Sequence, residues 1–308
     1  MREGSRRAVV AALFANFGIA AAKFLAFAVT GSASLLAEAI HSVADTGNQG
    51  LLFLGARRAQ RPPTAAHPFG YGRERFFWAF VVALVLFSMG SVFALVEGVD
   101  KVLHPHKVED AEWAFAVLGL SIGLETLSLR TAVRESAVAR GASSWWDFVR
   151  HAKTPELVVV LLEDTGALTG LFFAVIGVTV AVTTGDGIYD ATGSLAIGVL
   201  LGLIAYVLAR EMKSLLIGEA ASPAEEGQIR AVLDDCPEVK RVIHLRTQHL
   251  GPEELLVAAK VEFATDSVAE LADAIDRVEA RIRSRVPTAR LIYLEPDVYR
   301  PEPAPTDS

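Results

Sequence analysis

Glu38, His41, Asp45 and Asn48 stand 3, 4 and 3 residues apart, and at 3.6 residues per turn that spacing puts all four on one helix face. Their side chains end in oxygen and nitrogen donors. A His and an Asp one turn apart aim an imidazole nitrogen and a carboxylate at the same region, which is the start of a divalent-metal site. The same face would also serve as an interhelical hydrogen-bond cluster, and spacing leaves both readings open. A second pair of acids, Glu163 and Asp164, lies in the run Leu161-Leu-Glu-Asp-Thr-Gly166. Helical neighbours diverge by about 100°, so one of the pair faces a path and the other an adjoining helix or a second gate. Asn16 and Lys23, seven apart on one face, and Glu125 are further polar residues in apolar surroundings. Lys23 has the alternative of snorkelling to the interface.

The elements that must hold these residues are long and apolar. Six blocks, 8–30, 31–55, 76–99, 113–132, 155–183 and 189–217, are each long enough to cross a bilayer. The chain is 52% hydrophobic and 21% charged, below the roughly 25% charged residues of soluble domains, so its bulk belongs in lipid. Ionisable groups at that depth are costly; they face a protein interior or a watery cavity and mark a transport path. Gly166 and Gly170, four apart, invite another helix to come close. Close approach by helix two would carry Asp164 toward His41 and Asp45. Gly198 and Gly202 repeat the device in helix six.

The first block follows Met1-Arg-Glu-Gly-Ser-Arg-Arg7 but is too long for a secretory core and carries Asn16 and Lys23, so it reads as a membrane helix. Arg2, Arg6, Arg7, Arg57, Arg58, Arg61, Arg73, Arg75, Arg134, Arg140, Arg150 and Lys153 fall in loops on one side. The opposite loops hold mainly acids. The positive-inside rule therefore sets both termini in the cytoplasm, with the cell's inner (plasma) membrane as the expected location. The loop His67-Pro-Phe-Gly-Tyr-Gly-Arg-Glu74 reads as a tight cytoplasmic turn, and Trp145-Trp146-Asp147-Phe148 suits the membrane interface.

After Gly218 the pattern becomes that of a soluble α+β unit, with 11 Lys and Arg against 18 Asp and Glu, the source of the whole net charge of −7. Ser222-Pro-Ala-Glu225 is a capping box that opens a helix, and Ser267-Val-Ala-Glu270 is a second one. Strands are expected at 239–247, 255–264 and 289–295, with Leu255, Val257, Ala259, Val261 and Phe263 on a buried face. The expected fold class is a membrane all-α six-helix transmembrane bundle (1–217), a small αββαβ, ferredoxin-like cytoplasmic domain (218–300) and a disordered tail (301–308). A unit of this size is marginal alone, which favours dimerisation.

With these residues in this order, the chain resembles the cation diffusion facilitator family over nearly its whole length. The resemblance rests on the six spans, His41 and Asp45 in helix two, the His67 to Glu74 loop, Asp164 in helix five and the αββαβ tail. The segments 38–50 and 162–165 are most similar to the branch of the mitochondrial zinc exporter of animals. It implies a homodimeric secondary transporter that carries Zn²⁺ out of the cytoplasm in exchange for protons, with Mn²⁺, Fe²⁺ and Co²⁺ as related cargoes. Family zinc members take two ligands one turn apart from each of helices two and five. Here His41, Asp45 and Asp164 match, whereas Val160 occupies the fourth position and cannot coordinate. Glu163, Asn16 or water then completes the shell. In the tail, Lys260 and Tyr293 fall where relatives carry histidines, so the resemblance implies a dimerisation module in which His244 and His249 are surface residues.

The competing class is a membrane metal sensor or scaffold that binds an ion without moving it. No His-Glu-x-x-His run and no Gly-rich phosphate loop supports an enzyme. The single cysteine, Cys236, excludes a thiolate cage, and no basic tract suggests nucleic acid.

Overall fold

The structure is a computed structural model that describes residues 3–30, 33–104 and 111–300. Side chains at 30, 33–38, 40, 41, 44 and 111 lie outside the described residues, as does the tail 301–308 that was expected to be disordered. The chain forms two compact units, Met1–Arg61 with Glu74–Lys213, and Pro62–Arg73 with Ser214–Ser308.

The first unit is helical: α1 (Glu3–Thr30), α2 (Ala33–Ala59), α3 (Glu74–Val85), a π-helical stretch (Leu86–Val92), α4 (Phe93–Leu103), α5 (Ala111–Arg140), the short α6 (Trp145–His151), α7 (Pro155–Thr184) and α8 (Ile188–Ile217). Among the described residues, five helices are long and apolar enough to cross a membrane, α3 to α4 counting as one rod from Glu74 to Leu103. The predicted second span is a helix of 27 residues, α2, but it stands outside that set because its polar line dilutes its apolarity. Phe14, Phe17, Leu25, Phe172, Ile176 and Leu203 point outward, as a lipid-facing surface requires.

α1 packs against α2 and α5, α2 also meets α3, and α5 also meets α7. The small residues of α7 receive α8 rather than α2, which corrects the sequence expectation. A Cβ on Gly166 would fall 2.5 Å from Ile204 Cδ1, and one on Gly170 3.5 Å from Ile197. The reason is angular: Asp164 and Gly166 are two residues apart and therefore face different neighbours. Gly198 and Gly202 do act as expected, accepting Leu95 of α4 and Ser91 of the π-helical stretch. Ser91 Oγ donates to Gly198 O at 2.7 Å. At the start of α3, Arg75 donates to Glu156 at the start of α7 through Nε (2.5 Å) and Nη2 (2.8 Å). Both side chains are buried.

In the second unit, α9 (Pro223–Asp234), β1 (Val239–Gly251), β2 (Glu254–Phe263), α10 (Val268–Arg285) and β3 (Ala289–Pro296) follow the expected αββαβ order. β2 is central, antiparallel to β1 and parallel to β3. Alternation along β2 buries Leu255, Val257, Ala259 and Val261 against Ile229, Leu233, Val278 and Ile282 of the two helices. The first capping box forms as read, with Ser222 Oγ accepting from Glu225 N and the Glu225 carboxylate accepting from Ser222 N. The second does not: Ser267 makes no side-chain cap, and Glu270 instead accepts from Thr265 Oγ1 at 2.5 Å. The segment Pro62–Arg73 is a compact turn closed by Thr64 and His67 backbone bonds. Gly72 lies against the β1–β2 turn, where a Cβ would meet Leu250 O at 2.6 Å and Gly251 Cα at 3.1 Å.

Candidate functional site

The polar residues of the helical unit converge on a cavity of about 280 Å³. Its wall includes Asn16 and Lys23 from α1, Asp45 from α2, Glu125 from α5, and Glu163 and Asp164 from α7. Lys23 therefore turns inward rather than away along the lipid. The cavity continues to Glu97, Lys101 and Asp190, where Lys101 Nζ lies 3.0 Å from both Glu97 Oε1 and Asp190 Oδ2. Asp190 is beside Gly177 on α7, 13 residues beyond Asp164 and so about 20 Å along the helix axis.

The two adjacent acids of α7 part as their angle demands. Asp164 turns to α5, where Ser128 Oγ donates to its Oδ2 at 2.6 Å. Glu163 turns to α2, its Oε1 accepting from Asn48 Nδ2 (3.1 Å) and its Oε2 from Gln49 Nε2 (3.0 Å). Gln49 Oε1 in turn accepts from Asn16 Nδ2 at 3.4 Å. Asn16, Asn48, Gln49 and Glu163 thus form one buried chain that ties α1, α2 and α7 together. Buried polar groups need such partners, since an unmet one costs about 1–3 kcal/mol.

The structure therefore brings Asp45, Asp164, Glu163 and Asn16 to one cavity but divides their roles. The His41 position lies on α2, and its side chain is outside the described residues. Among the described residues, no three His, Cys, Asp or Glu side chains are gathered closely enough to hold a metal ion. Gln49 and Ser128 were missed by sequence reading. Gln49 extends the Asn48 amide face, and Ser128 is three residues from Glu125 on one face of α5, so the signal was present as spacing.

The second unit carries a different arrangement. Lys260 Nζ sits 3.1 Å from Glu295 and 2.9 Å from Asp297. Hydrogen bonds donated to Asp297, then to Glu295, raise the Lys260 pKa, and the bond from Lys260 lowers that of Asp297. His244 is exposed as expected. His249 is buried, a correction to the sequence reading. Its place at the end of β1, with its amide bonded to Glu219 O and its Nε2 3.9 Å from Glu225, puts it under α9 rather than on the surface.

Residues 9–217 match the cation efflux transmembrane domain, and residues 221–297 match the cytoplasmic domain of cation efflux proteins. The chain is 34% identical over 244 residues to the mitochondrial proton-coupled zinc antiporter of Homo sapiens, which covers 78% of this chain and 43% of that protein. It is 32% identical over 261 residues to metal tolerance protein C4 of Arabidopsis thaliana, covering 84% and 57%. It is 24% identical over 258 residues to a manganese efflux system protein of Bacillus subtilis, covering 82% of each. The chain spans less than half the length of the zinc antiporter it matches. Long apolar helices and the transmembrane-domain match together make it an integral membrane protein.

Proposed function

The chain belongs to the cation efflux, or cation diffusion facilitator, family, and from that premise we propose that it is a secondary transporter exporting divalent cations, Zn²⁺ foremost, in exchange for protons. The observation that carries the reading is the convergence of polar faces from α1, α2, α5 and α7 on one cavity inside an otherwise apolar bundle. Asp45 and Asp164 with the His41 imidazole are its ion donors. Metal binding requires ionised carboxylates and a neutral imidazole, so protons and ion compete for the same groups. Rocking of the bundle then exposes the loaded site to the far side, where protons displace the ion and return with the empty carrier. Oxygen and nitrogen donors without thiolate suit Zn²⁺ or Co²⁺ and exclude a Cu⁺ preference, while an oxygen-rich shell extends the range to Mn²⁺ and Fe²⁺. The relatives' names, one a zinc antiporter and one a manganese efflux protein, fall within that range.

The carrier works as a homodimer joined through its αββαβ domain, in the cell's inner membrane with both termini in the cytoplasm. The test is uptake into proteoliposomes of purified protein under an imposed pH gradient, with a zinc dye and a proton dye read together. Zinc entry with matching proton exit supports the reading; binding without either flux sinks it. The second reading, a membrane metal sensor that binds without transport, draws on one observation, that no three donors are gathered among the described residues. The same flux measurement separates the two.

A further inference from the structure

Glu125 is a carboxylate of the cavity wall to which the family pattern gives no task. α5 carries Ser121, Glu125 and Ser128 at intervals of 4 and 3, so they share a face, and all three are buried. Ser128 is committed to Asp164. Glu125 is only 4% exposed and lines the cavity, and its Oε2 is buried without a hydrogen-bond partner among the described residues. Charged groups that act on it are Asp164, Asp45 and Lys23. Lipid-depth carboxylates with no partner are expensive and mark ion pathways.

Glu163 and Asn16, the candidates for completing the shell, are engaged elsewhere. Both Glu163 oxygens accept amide hydrogens from α2, and Asn16 is tied to Gln49. Moving either toward an ion would strand buried amides. Glu125 has a buried oxygen to give without breaking a bond.

We infer that Glu125 supplies the oxygen donor missing at Val160, so that the transported ion is held by α2, α5 and α7 together rather than by α2 and α7 alone. This rests on the transport reading for its cargo. Among the described residues the donors are not gathered, so the ion draws α5 in with the other two helices when it binds. A further carboxylate oxygen raises the affinity for harder ions relative to zinc, which makes Glu125 a residue that sets metal preference.

Zinc and manganese titrations of the purified full chain by calorimetry, with Glu125→Gln and Glu163→Gln compared, test this. Loss of a supporting partner of a ligand typically weakens metal binding about 10- to 100-fold, and loss of a ligand should do at least as much. Glu125→Gln is expected to weaken Zn²⁺ binding at least about tenfold and Mn²⁺ binding further, so that preference shifts toward zinc. Zinc absorption-edge scattering on the unaltered protein supplies a measurement that needs no variant: three carboxylate donors with one imidazole are expected. Unchanged affinities for both ions in Glu125→Gln, or a shell with only two carboxylates, overturns the assignment. Should Glu125→Gln fail to fold, the scattering result alone decides. Absence of flux with intact binding would instead count against transport and leave the donor assignment to the titrations.

Discussion

At the scale of single residues, adjacent side chains do unlike work. Asp164 meets the cavity with one hydroxyl partner, whereas Glu163 is a tie between helices. Asp45→Ala and Asp164→Ala are therefore expected to abolish zinc uptake in proteoliposomes; full uptake in either variant counts against them as donors. Glu163→Gln should behave the other way. Its new amide hydrogens would oppose the amide of Asn48 or of Gln49, leaving a buried donor unmet at a cost of about 1–3 kcal/mol. The unfolding temperature is expected to drop, with slowed transport and little change in zinc affinity. A glutamine variant as stable as the parent would show that the bridging chain holds nothing.

At the scale of elements, ion pairs fasten helices whose apolar faces are shared with lipid. α3 and α7 begin with the doubly bonded pair Arg75 and Glu156, both nearly excluded from solvent. Removing one partner of a buried pair strands the other and costs about 3–5 kcal/mol, whereas replacing both with apolar residues of similar volume is often neutral. Arg75→Met alone should greatly reduce thermal stability, and the double change Arg75→Met with Glu156→Leu should recover most of it. Equal losses in single and double variants would argue against the pair. Toward the other end of the cavity, Lys101 links Glu97 of its own helix to Asp190 at the start of α8. Lys101→Met leaves two carboxylates side by side without their counter-ion, and faster labelling of a cysteine placed at Ser194 by an impermeant reagent is the expected consequence.

At the scale of the whole molecule, the αββαβ domain adds a pH dependence of its own. Burial pushes the Glu225 carboxyl up, but the Ser222 hydroxyl and amide, the Thr288 hydroxyl and His249 outweigh it, and the net shift is downward. A carboxylate depressed in the folded state stabilises fully above its unfolded pKa of about 4.3, and that contribution is lost as pH falls through the lower folded value. Asp297, held down by Lys260, acts in the same direction below about pH 4. Amide exchange in α9 is therefore expected to accelerate below about pH 4 before the helical unit responds, and Glu225→Ala should show that acceleration already at neutral pH. An α9 equally protected in both proteins would contradict the capping role.

Periodicity determined a good deal by itself. A helix must place residues 3 and 4 apart on one face and a strand must alternate, so the membrane helices, the buried side of β2 and the Ser222 cap were all readable from local pattern. What the chain's own order cannot express is which distant face each helix meets. Glycines at 166 and 170 promise a close neighbour without naming α8; Glu163 and Asp164 must diverge, yet only packing decides that one goes to the amides of α2 and the other to a serine of α5. The Ser267 box had the right letters and lost its glutamate to Thr265, and His249 reads as an ordinary strand residue until α9 covers it. These outcomes depend on competition among partners far apart in sequence, and that competition is settled only when the helices and strands pack.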